Sequence, residues 1–115
     1  MTTIELKDLA HAKMVEAMTL LKAAYEMANM EAANAEVKER HAADVLARFE
    51  HMYPVYEGIP SFEADMDTAQ EVYDKAWRKA DQLGYNVDQI DSAMISLRET
   101  MEYIEDTWEY DAIED

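Results

Sequence analysis

The stretch AAYEMANMEAANAEV, residues 23–37, decides how many helices the chain has. It contains neither glycine nor proline, and alanine, methionine and glutamate all favour helix. Tyr25, Ala28, Ala32 and Ala35 recur at alternating spacings of three and four, which places them on one helix face. Working outward, the same register takes in Met14, Met18 and Leu21 before the stretch. After it come Ala42, Leu46, Phe49 and Tyr53, with Glu39 the only interruption. One helix of about fifty residues fits this pattern and would run roughly 75 Å at 1.5 Å per residue. A helix that long needs a dimer to cover it. The alternative is a break at Asn29–Asn34, where either asparagine caps a second helix. The break is the expectation adopted.

The second half reads the same way. Pro54 is expected to end the first segment, and PVYEGIPS (54–61) reads as a loop with Ser61 as the next cap. Phe62, Met66, Ala69, Tyr73, Ala76, Ala80 and Leu83 form a third seam, with Trp77 beside it. Gly84 reads as a C-terminal stop, and Asn86 with Gln89 resembles a capping box. Val87, Ile90, Met94, Leu97, Met101, Ile104 and Trp108 form the last seam. A three-residue turn between these helices predicts an antiparallel hairpin. The predicted fold is all-α, an antiparallel helical bundle. It has either four helices or a very long first helix plus a C-terminal helical hairpin. Residues 1–115 form a single helical domain, with 110–115 a frayed acidic tail.

Composition narrows the function classes. The 115 residues include no cysteine, which excludes a disulfide scaffold and a thiolate site and fits a cytoplasmic protein. The opening MTTIELKDLAH has no apolar run of signal-peptide or membrane length. The formal charge is −16, unevenly spread. Residues 1–53 carry nine acids and six bases, net −3, while 54–115 carry seventeen acids and four bases, net −13. Such an excess disfavours direct contact with nucleic acid or anionic membrane and suits a basic partner.

Motifs for enzyme chemistry are sparse. There is no Walker loop, no nucleophile elbow and no Glu-x-x-His. Three histidines, His11, His41 and His51, read as surface residues. Glu36-Val-Lys-Glu39 and Glu71-Val-Tyr-Asp74 place paired carboxylates one helical turn apart, a geometry able to hold Mg²⁺. These four positions resemble the MazG-type all-helical nucleotide pyrophosphohydrolases. The resemblance implies Glu36, Glu39, Glu71 and Asp74 as metal ligands. The thirty-one-residue spacer and the lack of a following Gly-Asp depart from that family.

The acidic C-terminal segment is the stronger signal. Asp88, Asp91, Glu102, Glu105 and Glu109 each follow a seam residue by one position and line one flank. Glu99 and Asp106 fall on the outer face. From Glu99 to Asp115 there are eight carboxylates and no base. On a helix that gives about one charge per 3 Å, close to the roughly 3.4 Å phosphate spacing of one DNA strand. Glu102 with Asp106, Glu105 with Glu109, and Asp111 with Asp115 are like charges at i,i+4, each unfavourable by about 0.2–0.5 kcal/mol. Repeated local conflict of this kind is a mark of function. A solvated acidic surface explains the pattern equally without a partner.

A small, cysteine-free, helical and strongly acidic chain resembles the phage-encoded DNA mimics, among them the Ocr-type anti-restriction proteins and acidic anti-CRISPR proteins. The resemblance is one of composition and architecture. It implies a non-enzymatic inhibitor that needs no cofactor and acts in the host cytoplasm. That inhibitor would occupy the site of a basic nucleic-acid-binding protein of the host. Its implied contact residues are Asp88, Asp91, Glu99, Glu102, Glu105, Asp106, Glu109 and Asp111, with Tyr56, Tyr85 and Tyr110 adding area at the rim. Two other classes stay open. One is the Mg-dependent pyrophosphohydrolase. The other is a coiled-coil adaptor forming a homodimer through Ala28–Ala35.

Overall fold

The computed structural model describes residues 2–114, with side chains described as far as Thr107. It contains two helices, α1 (Thr3–Tyr56) and α2 (Pro60–Glu114). No strand occurs among the described residues. All-α is therefore right, whereas the four-helix division and the C-terminal hairpin are corrected to two long helices. Cα packing divides the chain into two units. One comprises Met1–Met27 with Val87–Asp115, and the other is Ala28–Asn86.

The interruptions expected at Asn29–Asn34 and at Gly84–Asn86 gave way to an unbroken seam. In α1 the register from Met14 to Tyr53 is half-buried or buried at every position, through Asn29 and Asn34. In α2, Leu83 to Val87 is a step of four, so the three-four alternation passes through Gly84 without a phase slip. A sustained heptad repeat of this kind keeps one face turned to a partner helix. Seam packing then outweighs the roughly 1 kcal/mol that an interior glycine costs relative to alanine. Asn86 does not cap a helix; its Oδ1 accepts a hydrogen bond from Gln82 Nε2 at 3.0 Å, one turn earlier. Pro54 lies inside the last turn of α1, and Ser61 lies inside α2.

The real start and stop signals lie elsewhere. Thr2 Oγ1 accepts from the Glu5 N–H at 3.2 Å and caps α1. At the other end, Tyr56 C=O accepts from the Ile59 N–H at 3.1 Å. Gly58 has φ +83, a left-handed conformation that glycine adopts without a Cβ penalty. Ile59 C=O then accepts from the Glu63 N–H at 3.0 Å, which starts α2 with Pro60 at its first position. The Glu63 carboxylate reaches back to the Gly58 N–H at 3.1 Å. Glu63 thus ties down the turn.

In the unit formed by Ala28–Asn86 the two helices run antiparallel out of this turn. Phe62 stacks on Tyr56 at 5.1 Å and meets Phe49 at 5.5 Å. Ala32, Ala35, Ala42, Leu46, Ala69 and Ala80 are buried. Ala35 lines a cleft with Lys79 and Leu83 of α2, so this alanine face is used within the chain. It is not free for the Ala28–Ala35 homodimer of the adaptor reading. In the other unit Val87 is buried. Met14, Met18, Leu21, Tyr25, Ile90, Met94, Leu97, Met101 and Ile104 are half-buried. Among the described residues no side chain is completely enclosed. No helix there is long and apolar enough to cross a membrane.

Candidate functional site

The carboxylates expected to meet a partner sit on α2 beyond Asn86. Asp88, Asp91, Glu99, Glu102, Glu105 and Asp106 are all exposed. The seam explains why. With Val87, Ile90, Met101 and Ile104 turned inward, the positions that follow them lie on its flank. Glu105 touches His11 of α1, Oε1 to Nδ1 at 3.4 Å. An exposed contact of this kind contributes little, even with the imidazole charged. Among the described residues no lysine or arginine pairs with Asp88, Asp91, Glu99, Glu102 or Asp106. The ion pairs Lys13–Glu16 and Arg40–Glu36 lie on α1. Glu109 and Asp111 lie beyond the residues whose side chains are described.

The stripe has internal structure that the bare sequence count hid. Ile95, 44% exposed, and Arg98 fall on the same flank between Asp91 and Glu102. Asp88 to Asp106 spans about 27 Å of axis, so the six carboxylates average about one per 5 Å. The dense part is Glu99–Asp106, with four carboxylates over about 10 Å, which approaches the spacing of a phosphate strand. Tyr103 is 66% exposed within this group. It falls two positions after Met101 and one before Ile104, off the seam, and that offset was the signal for it. Tyr56 and Tyr85 are both exposed as expected, and Tyr56 also stacks on Phe62. Tyr110 lies outside the described side chains.

The Mg²⁺ constellation is not assembled. No group of three or more potential ligands comes together among the described residues. Glu39 lies on the seam, half-buried; on α2, Asp74 is half-buried and Glu71 is exposed. Glu36 pairs instead with Arg40 at 4.0 Å, and Asp74 accepts from Gln70 Nε2 at 3.0 Å. Pairs at i,i+3 can be read from the sequence, whereas their direction depends on how the flanking segments share one register.

No protein family, curated protein or solved structure matches the chain.

Proposed function

We propose that the chain is an acidic binding module that imitates a nucleic-acid strand and occupies the nucleic-acid site of a basic protein. The observation that carries this reading is the set of exposed carboxylates from Glu99 to Asp106 on a continuous helix, with no lysine or arginine paired to Glu99, Glu102 or Asp106 among the described residues. Lysine and arginine side chains that grip phosphates would accept these carboxylates as charge-assisted hydrogen-bond partners. Holding the charges on one helix reduces the ordering cost on binding. Asp88 and Asp91 extend the surface, Tyr103 contributes aromatic area, and Glu109 and Asp111 prolong the charge run in sequence. A host defence enzyme or another DNA-handling protein in the cytoplasm is the proposed partner class.

The test is capture on the immobilised chain from a bacterial lysate at low salt, followed by elution with duplex DNA. Captured proteins should bind nucleic acid, leave when duplex is added, and be retained poorly by the E102K/D106K chain. Proteins that ignore duplex DNA, or that bind the double variant equally, would overturn the reading.

A further inference from the structure

The Ala28–Asn86 unit carries a second surface of opposite character. An open groove of ≈ 800 Å³ runs between α1 and α2, lined mainly by apolar side chains. Val37 and Val72 stand 61% and 54% exposed beside it, with Val45 half-buried between them. The groove has two distinct ends. Lys38 and Ala76 mark the end far from the turn. Phe49 and Asp65 mark the end near it, as the Phe49–Phe62 ring contact requires. Lys38 and Phe49 are eleven residues apart on α1, about 16 Å along the axis. Among the described residues neither Lys38 nor Asp65 has an ion-pair partner.

We propose that a second copy of this chain covers this groove, related to the first by a two-fold axis across its middle. Such an axis exchanges the two ends. It lays Lys38 of each copy at the level of Asp65 of the other, while Val45 and Val72 lie nearer the centre. A groove with opposite charges at its ends and apolar residues between them is complementary to itself, which is the requirement of a two-fold contact. The local charge is also milder here. The Ala28–Asn86 unit holds twelve acids and six bases, net −6, against fourteen acids and four bases, net −10, elsewhere.

This contact is independent of the proposed nucleic-acid mimicry, and salt affects the two in opposite directions. Two copies of a chain charged −16 repel each other, so added salt should tighten the dimer. Binding to a basic partner should weaken. Analytical ultracentrifugation at low and high salt, with circular dichroism to confirm helicity, tests the proposal. The wild-type chain should sediment at twice 13.3 kDa, more tightly at high salt. V72E should weaken the dimer by about a hundredfold or more, because it buries an unpaired charge. K38D and D65K should each self-associate about tenfold more weakly than wild type. An equal mixture of the K38D and D65K chains should dimerise about as well as wild type, since both cross-pairs are then opposite in sign. A wild-type monomer at high micromolar concentration and high salt would overturn the proposal. So would a dimer indifferent to V72E, or variants that gain nothing from mixing. A helical partner of another sequence in the groove of a monomeric chain would likewise overturn it.

Discussion

The α2 flank beside Ala69 and Ala76 and the α2 flank beyond Val87 are built on the same heptad repeat and carry opposite chemistry. On the first, Thr68 and Val72 lie between Asp65 and Ala76 along a groove. On the second, Asp88, Asp91, Glu102 and Glu105 occupy the positions next to the seam, and Glu99 and Asp106 lie further out. The seam itself is similar in both. What distinguishes the surfaces is the flank: Asp65, Thr68 and Val72 each precede a seam residue by one position, whereas Asp88, Asp91, Glu102 and Glu105 each follow one. α2 therefore carries an apolar surface in the Ala28–Asn86 unit and a polyanionic one beyond Asn86. It follows that substitutions in the seam should act on stability, and substitutions one step away should act on binding.

The seam half of this comparison can be broken with truncations. Leu46 is buried in the Ala28–Asn86 unit, whereas Leu97 is only half-buried in the other. Leu46→Ala should destabilise the fold by about 2–3 kcal/mol and Leu97→Ala by about 1 kcal/mol, read by urea titration. Equal costs would mean that the two regions are packed alike. The two glycines give a smaller contrast. Gly58→Ala should destabilise by about 1 kcal/mol, because φ +83 disfavours any side chain there. Gly84→Ala should instead stabilise by about 0.5–1 kcal/mol. Gly84 is helical, and a Cβ added there meets nothing within 4 Å. Loss of stability at Gly84 would argue for a hinge at that position. The smallest effect belongs to His11→Ala. It should change stability by less than about 0.5 kcal/mol, because the Glu105 contact is solvent-exposed.

These contrasts follow from what could be read in the residues alone. Every seam position from Met14 to Tyr53 and from Phe62 to Ile104 was identified by its three-four spacing, and each is half-buried or buried. The division into four helices failed because Asn29–Asn34, Gly84 and Asn86 were read by local propensity. The longer signal was available. Ala80, Leu83, Val87 and Ile90 keep the alternation across Gly84, and a register shared by both sides of a supposed break argues against the break. The turn at Glu57–Ile59 falls within the loop expected at 54–61, which is shorter than expected because Pro54 and Ser61 lie inside the helices. For the candidate site, period alone placed Asp88 to Asp106 outside the seam. Tyr103 and the interruption at Ile95 and Arg98 were equally readable from that period. The groove was not. It depends on which residues of α1 lie level with which residues of α2, and that register is set by the turn.

The acidic half of the comparison has one decisive test. DNA cleavage by a panel of restriction and CRISPR effector enzymes can be measured with wild-type chain and with the E102K/D106K chain over a range of salt. The account predicts that at least one enzyme is inhibited by the wild-type chain. That inhibition should fade as salt rises and weaken at least about tenfold for the double variant, which keeps its helicity. Inhibition of equal strength by both chains, or no inhibition at any salt, would contradict it.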